Sequence, residues 1–207
     1  MKTRKLSGLI VLAIALVSYA FIPAIVAGDE ITVGAKVPKA DLKMADVSGK
    51  EYSLADLKTD KGILVIFSCN TCPYVKLSET RIKEYTDLCK KSGIGAVIVN
   101  SNEGQRDGDD SFEEMKKYAE AQKIAVPYVV DKKSELADAF GATRTPQCFL
   151  FDKDGLLIYK GAIDDNVKDV KAVKTPYLKD AIVALTKGMK PATTETKSIG
   201  CTIKRTE

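Results

Sequence analysis

The sequence predicts a single α/β domain, because strand signals and helix signals alternate along it. Two short apolar runs rich in β-branched residues, GILVIFS (62–68) and IGAVIVN (94–100), are typical of strands buried on both faces. The segment 111–123 follows them and begins with Ser111 and, three residues later, Glu114, which is a helix-capping pattern. A chain of 207 residues without internal repeats is long enough for one domain with a proper core.

Turn and period signals predict the remaining elements. An N-terminal β-hairpin is expected within 33–58, before the first buried strand. A helix is expected from Pro73 to residue 91, because apolar residues recur there with a helical period before Gly93. The later elements are expected to be a strand at 126–131, a short helix at 134–142 with Gly141 as its stop, a hairpin around Lys-Asp-Gly within 147–163, and a final helix at 175–188.

The first 27 residues predict a secretory signal peptide, and the domain itself is expected to span 28–188. Basic residues open the chain, a long apolar run follows, and the small residues up to Ala27 look like a cleavage region. The apolar run is also long enough to cross a bilayer as an uncleaved anchor. Both alternatives export the rest of the chain, to the periplasm or as a secreted protein. Residues 189–207 are expected to form a C-terminal tail that carries Cys201.

Composition excludes several classes of function. Removing residues 1–27 from the 207 leaves 180 residues, and the loss of three basic residues lowers the formal net charge from +4 to +1. This balance gives no electrostatic footprint for nucleic acid, so we expect no nucleic-acid partner. The chain has no histidine. That absence excludes Cys-His and Ser-His catalysis, imidazole metal ligands and the C-x-x-C-H attachment of haem.

Cys69 and Cys72 form a C-x-x-C pair in the turn between the first buried strand and the helix that follows. Pro73 has no N–H and restricts the residue before it, so it belongs to the first helical turn. We predict that Cys69 is the more outward thiol, faces the free N–H groups of the helix and supplies a nucleophilic thiolate. Cys72, one turn on, would then resolve the mixed disulfide.

An inert structural staple and half of a zinc site are the alternatives for this pair. The other three cysteines are singletons far apart in the sequence, at positions 89, 148 and 201. A second close pair of zinc ligands is therefore missing. A staple of this short span would restrict little loop entropy. The strand-turn-helix context favours redox use, and we expect neither a metal nor a cofactor.

Three stretches, ILVIFSCNTCPYV, GATRTPQCFLFDKDGLLIYKGAIDD and SIGCTIK, together resemble the thioredoxin-fold redoxins. The resemblance is to the peroxiredoxin-like group of the alkyl hydroperoxide reductase and thiol-specific antioxidant superfamily, and it covers residues 34–204. It implies a thioredoxin-like fold, with a central mixed β-sheet flanked by helices. It also implies that Cys69 attacks and Cys72 resolves. Pro146 would be a cis proline beside the pair, and Thr145 would offer backbone hydrogen bonds to a substrate peptide.

The favoured function is an exported thiol-disulfide oxidoreductase. Its partners would be a protein bearing a disulfide or an oxidised thiol and an external thiol electron donor. A thiol-dependent peroxidase that reduces hydroperoxides is one alternative, although neither cysteine has the P-x-x-x-[TS]-x-x-C pattern of a peroxiredoxin's peroxide-reducing residue. A non-catalytic thioredoxin-fold binding module, with the cysteines as a staple, is the other. An inert staple would have a reduction potential below about −300 mV.

The remaining cysteines differ in their expected roles. Cys89 shares a helix face with apolar residues and is expected to be a buried core thiol. Cys148 lies two residues after Pro146, so it is a candidate neighbour of the redox pair, with a buried strand thiol as the favoured alternative. Cys201 lies in a polar segment without a core pattern and is a candidate third redox cysteine. The RDGDD run at 106–110 is expected to be a solvated loop.

Overall fold

The computed structural model describes residues 29–206. The predicted signal peptide, residues 1–27, therefore lies outside the described residues. The strands are β1 (Met44–Ala45), β2 (Glu51–Tyr52), β3 (Ile63–Ser68), β4 (Gly95–Asn100), β5 (Tyr128–Val130), β6 (Arg144–Thr145), β7 (Gln147–Phe151), β8 (Leu157–Gly161) and β9 (Cys201–Thr202). The α-helices are α1 (Leu54–Leu57), α2 (Pro73–Lys76), α3 (Glu79–Lys91), α4 (Phe112–Gln122), α5 (Glu135–Phe140) and α6 (Tyr177–Thr186).

A five-stranded mixed sheet forms the centre of the domain, in the order β5-β4-β3-β7-β8. β3, β4 and β5 run parallel, whereas β7 and β8 are antiparallel additions at the other edge. All six residues of β3 are buried, as expected for a continuously apolar strand at the middle of a covered sheet. β1 and β2 form the predicted N-terminal hairpin. The predicted α/β domain with a mixed sheet between helices is confirmed.

Helices cover both faces of this sheet. α3, α4 and α6 pack on one face, against side chains such as Leu64 and Ile66 of β3. α1 and α5 pack on the other face, against Phe67 and its neighbours. Phe140 of α5 stands edge-on to Phe67 and Phe149, with ring centroids 5.3 and 5.1 Å apart. Both faces of β3 are therefore held by packing, which fixes the position of its last residue and of the turn that follows.

The helix predicted from Pro73 to residue 91 is divided in the structure. α2 ends at Lys76, and α3 begins at Glu79. Arg81 accounts for part of this break, because its guanidinium donates to the carbonyl oxygen of Leu77 at 2.8 Å. The same guanidinium forms a buried ion pair with Asp164, which lies beyond β8. This ion pair therefore links the start of α3 to the loop that follows the β7–β8 hairpin.

The segment after Gly188 differs from the tail that the sequence predicts, because it returns along the domain. Thr196 donates its backbone N–H to the carbonyl oxygen of Lys160 in β8 at 3.0 Å. β9 then pairs antiparallel with β6, and Ile203 is only 3% exposed within the core on the α5 side. A two-residue strand with one buried apolar anchor is too short to give a periodic sequence signal. In residues 29–206, no helix has the length and apolar character needed to cross a membrane.

Candidate active site

The turn after β3 carries the C-x-x-C pair. β3 ends at Ser68, Pro73 is the first residue of α2, and Cys72 is the N-cap with φ −63° and ψ 123°. The Cys69 sulfur accepts a hydrogen bond from the backbone N–H of Cys72, so it also meets the start of this helix. Proline commonly occupies the first helical position because it has no N–H to leave unpaired, and this makes the preceding residue the cap. Pro73 thus already indicates Cys72, and not Cys69, as the residue at the helix start.

Thr145 and Pro146 face this turn across the end of the sheet. The bond between them is cis, as the resemblance implies. The Cys69 sulfur lies 3.5 Å from the Thr145 hydroxyl oxygen. The protonated Cys72 thiol donates to the Thr145 backbone carbonyl oxygen at 3.1 Å. The structure thus brings together the four residues that the sequence nominates, with both sulfurs in contact with one threonine.

The two thiols of the pair are nearly inaccessible and differ in acidity. Cys69 is 1% exposed and Cys72 is 3% exposed. A hydrogen bond between their sulfurs, with Cys69 as donor, lowers the pKa of Cys72 and raises that of Cys69. Burial adds to the rise at Cys69, whereas the backbone N–H of Val75 helps to lower the pKa of Cys72. Cys72 is therefore the thiol that ionises first.

Cys201 comes from the far end of the chain to join the pair. It is the register partner of Thr145 in the β6–β9 ladder, and it is only partly buried. Its thiol and its backbone N–H both donate to the Cys72 sulfur, which further lowers the pKa of Cys72. Burial and Cys72 raise the pKa of Cys201 to about 11. The structure therefore places the third candidate redox cysteine against the more acidic member of the pair.

A buried carboxylate, which the sequence does not predict, lies beside Cys69. Asp110 ends the RDGDD run that was expected to be a solvated loop, yet it is 0% exposed. One of its oxygens accepts from the backbone N–H of Asn70 and from the side-chain amide of Asn100, both at 2.8 Å. The other accepts from the side chain of Asn102, also at 2.8 Å. The side-chain amides of Asn100, the last residue of β4, and of Asn102 thus hold Asp110 inside the domain, where its charge contributes to the raised pKa of Cys69.

Cys89 and Cys148 are core thiols. Both are fully buried, Cys89 on α3 and Cys148 on β7 opposite Ile66 of β3. Burial raises the pKa of Cys89 to about 12 and also raises that of Cys148. For Cys148, this setting favours the buried strand thiol over a neighbour of the redox pair. Among residues 29–206, no three histidine, cysteine, aspartate or glutamate side chains are placed to hold a metal ion together.

Comparison with known proteins gives a family match and close structural relatives. A family model described as Redoxin matches residues 32–175. The crystal structure of a hypothetical protein from Sinorhizobium meliloti 1021 has a TM-score of 0.78 at 32% sequence identity. That match covers 86% of this chain and 97% of the Sinorhizobium chain.

A curated relative and a more distant structure complete the comparison. The thiol-disulfide oxidoreductase ResA of Geobacillus thermodenitrificans is 26% identical over 125 residues, which make up 60% of this chain and 66% of ResA. The match thus spans slightly less than two thirds of that relative. The solution structure of a thioredoxin-like protein in the oxidized form has a TM-score of 0.60 at 22% identity, and covers 75% of this chain and 98% of that one. This likeness confirms the predicted thioredoxin-like fold.

Proposed function

The chain belongs to the Redoxin family, and from that membership we propose that it is a thiol-disulfide oxidoreductase whose redox pair is Cys69 and Cys72. The observation that carries the proposal is the meeting of both sulfurs at Thr145, next to the cis Pro146. An inert staple needs only the two cysteines. A redox pair also needs a thiolate, and the hydrogen bonds to the Cys72 sulfur stabilise one.

The order of attack follows from the difference in acidity. The Cys72 thiolate attacks one sulfur of a substrate disulfide, forms a mixed disulfide and releases the other substrate sulfur as a thiolate. Cys69 then gives up its proton, attacks the Cys72 sulfur and releases the second substrate thiolate. The substrate gains two electrons, and the Cys69–Cys72 disulfide is formed. The sequence suggests the other order, in which Cys69 attacks and Cys72 resolves; we propose attack by Cys72 because hydrogen bonds to its sulfur lower its pKa.

The substrate and the electron donor are proposed by class. The substrate is a protein with a disulfide or an oxidised thiol, and it would bind in the groove formed by Thr145 and Pro146. An external thiol donor would reduce the pair again. The name of the curated relative, thiol-disulfide oxidoreductase, supports this class of substrate.

We also propose that the protein works outside the cytoplasm, in the periplasm or as a secreted protein. The basic residues and apolar run within residues 1–27 support export, by a cleaved signal peptide or an uncleaved anchor. An oxidising compartment would suit a chain whose five cysteines all lie after that segment. Fractionation of cells that express the full chain, with N-terminal sequencing of the product, tests both points.

The test of the function is insulin reduction with dithiothreitol as the donor. Wild type should accelerate the reaction, Cys72→Ser should abolish the acceleration, and the double variant Cys69→Ser/Cys201→Ser, which lacks both neighbouring thiols, should accumulate a mixed disulfide on Cys72. Cys89→Ala is the matched control, because it removes a cysteine from the core without touching the pair. Equal rates for wild type and Cys72→Ser would reject the proposal in favour of the binding module. Rapid hydroperoxide turnover that is lost in Cys72→Ser, without insulin reduction, would favour the peroxidase.

A further inference from the structure

The outermost cysteine of the site belongs to the C-terminal segment. Cys69 and Cys72 are 1% and 3% exposed, whereas Cys201 is partly open to solvent. Cys201 nonetheless lies at the pair, because it packs against the core cluster that contains Cys69 and Cys72 and is the register partner of Thr145, which contacts both of their sulfurs. A reagent that is too large to reach Cys72 can therefore still meet a sulfur in direct contact with it.

The segment around Cys201 is held on both sides, so this contact is fixed by the fold. On one side, the Thr196 hydroxyl accepts from the backbone N–H of Ala162 at 2.9 Å. On the other, Ile203 is buried and donates its N–H to the carbonyl oxygen of Thr143 at 3.1 Å. The backbone N–H of Lys204 donates to the side chain of Asn102 at 2.9 Å. Cys201 lies between these attachments and needs little further ordering to react with Cys72.

Gly200 shows how closely this segment lies against the site. A Cβ atom at Gly200 would lie 2.1 Å from the Thr145 carbonyl oxygen, the same oxygen that accepts from Cys72. Any other residue would have to move the segment away. β9 also takes the backbone pairing position of Thr145 that an incoming peptide would use. The substrate groove predicted from the sequence is therefore occupied, in this structure, by a cysteine of the same chain.

We propose that Cys201 is a third redox cysteine, which takes over the disulfide from Cys69 and Cys72 and presents it to the external thiol donor. The proposal rests on the function proposed above, since it concerns how that pair is reduced again. Through Cys201 of β9, the disulfide would pass from a nearly buried pair to a sulfur that is more exposed to solvent.

The exchange balances in atoms and electrons. Cys201 loses its proton, and its sulfur attacks the Cys72 sulfur of the Cys69–Cys72 disulfide. One S–S bond forms as the other breaks, and Cys69 leaves as a thiolate that takes up a proton. No electrons enter or leave the three sulfurs in this step. Two of the causes that raise the pKa of Cys201, its hydrogen bond and its charge interaction with Cys72, vanish once Cys72 is in a disulfide.

The donor then reacts at the exposed end of the new disulfide. Its thiolate attacks the Cys201 sulfur, and Cys72 leaves as a thiolate. A thiol of low pKa is a fast leaving group, and Cys72 is the most acidic thiol of the three. A second donor thiol displaces Cys201. The donor thus becomes a disulfide, supplies two electrons and leaves all three cysteines as thiols.

Peptide mapping under non-reducing conditions tests the exchange. Cys69→Ser is oxidised with diamide as a folded protein, and wild type and Cys201→Ser are treated in parallel. We expect an intramolecular Cys72–Cys201 disulfide in Cys69→Ser, and the Cys69–Cys72 disulfide in Cys201→Ser. If folded Cys69→Ser gives only intermolecular dimers, or no disulfide at Cys201, the proposal is overturned. If Cys201→Ser fails to form the Cys69–Cys72 disulfide, the proposed function fails instead, so the two failures are distinguishable.

The rate of re-reduction provides the second measurement. Oxidised wild type and Cys201→Ser are reduced with glutathione, and free thiols are followed over time. Because the exposed Cys201 sulfur and the acidic leaving group are lost, we expect Cys201→Ser to be reduced about tenfold more slowly. Gly200→Ala should slow the reaction in the same direction, whereas Gly108→Ala should match wild type, since a Cβ at Gly108 meets nothing closer than 3.8 Å. Equal or faster reduction of Cys201→Ser would mean that β9 only covers the pair, and would overturn the proposal.

Discussion

The backbone carbonyl oxygen of Thr145 lies 3.1 Å from the sulfur of Cys72. The hydroxyl of the same threonine contacts Cys69 at 3.5 Å, and its backbone pairs with that of Cys201. One residue thus contacts all three cysteines that we propose to exchange disulfides. The position of Thr145 is set by β7, which follows it through the cis Pro146 and pairs with β3 at the centre of the sheet.

The acidity of Cys72 can be measured from the ultraviolet absorbance of its thiolate in the reduced protein. The hydrogen bond from Cys69 lowers the pKa of Cys72, so we expect the thiolate to persist below about pH 7, where an ordinary cysteine is protonated. In Cys69→Ser, the serine hydroxyl is a poorer donor to the Cys72 sulfur, so the pH midpoint of the thiolate transition should rise. Cys72→Ser should remove the low-pH transition. A low-pH transition that persists in Cys72→Ser would assign the acidic thiol to another cysteine.

The same shift makes stability depend on pH in a defined direction. Unfolded Cys72 has an ordinary pKa and binds a proton at pH values at which the folded thiolate does not. Ionised Cys72 therefore increases the free energy of unfolding at pH values above the pKa that Cys72 has in the unfolded chain. This increase is lost as the pH falls through the lower pKa that Cys72 has in the folded protein. We expect the difference in unfolding free energy between reduced wild type and Cys72→Ser to shrink on acidification in urea titrations. A difference that grows on acidification would contradict the assignment.

Asp110→Asn should make Cys69 easier to ionise. The Asp110 carboxylate contributes to the raised pKa of Cys69, and asparagine removes its charge. In a Cys72→Ser background, which leaves Cys69 as the measured thiol of the pair, the thiolate midpoint should fall when Asp110 is replaced. Asp109→Asn is the matched control because Asp109 is exposed. An unchanged midpoint in the Asp110 variant would show that burial alone holds Cys69 protonated.

Arg81→Met should destabilise the protein strongly. Arg81 and Asp164 form an ion pair with side-chain exposures of 3% and 1%, so the substitution leaves a buried carboxylate without its partner. We expect a loss of about 3–5 kcal/mol in the free energy of unfolding by urea. Lys83→Met removes an exposed pair with Asp87 and should cost at most about 1 kcal/mol. If the two losses are similar, the pair does not lock the α2–α3 break.

The order in which the thiols react should follow their burial. In the folded, reduced protein, a bulky aromatic disulfide reagent should modify Cys201 first, because the other four cysteines are at most 3% exposed. Cys89 and Cys148 should react only after unfolding in denaturant. Mass spectrometry of the modified peptides gives the order. Modification of Cys148 ahead of Cys201 would contradict the described packing around β7.

Local sequence patterns were sufficient for the centre of the fold. β3 and β4 are continuous apolar runs, and burial on both faces produces that pattern directly. The C-x-x-C pair with Pro73, and the Thr145-Pro146 step, were identified because each is a short motif with its own chemistry. The roles within the pair, with Cys69 attacking and Cys72 resolving, stay a prediction of the sequence, and proline at the first helical position favours Cys72 as the cap.

Two parts of the site were missed because they depend on contacts between distant residues. Asp110 lies in a polar run that is typical of a solvated loop, and its burial depends on hydrogen bonds from distant groups, the Asn70 backbone N–H and the side-chain amides of Asn100 and Asn102. β9 has two residues and pairs with β6, which precedes it by more than fifty positions. Neither propensity nor periodicity records such pairing, which depends on where the rest of the chain has placed its free backbone groups.

The position of Cys201 in the chain also orders the events of biosynthesis. A ribosome delivers Cys69, Cys72 and Thr145 before it delivers β9, so the growing chain carries an uncovered pair while its last residues are still being made. A thiol catalyst or oxidant that meets the nascent protein reaches sulfurs that become nearly inaccessible once Gly200 has settled on Thr145. A thiol catalyst or oxidant can therefore set the initial redox state of Cys69 and Cys72 before folding is complete.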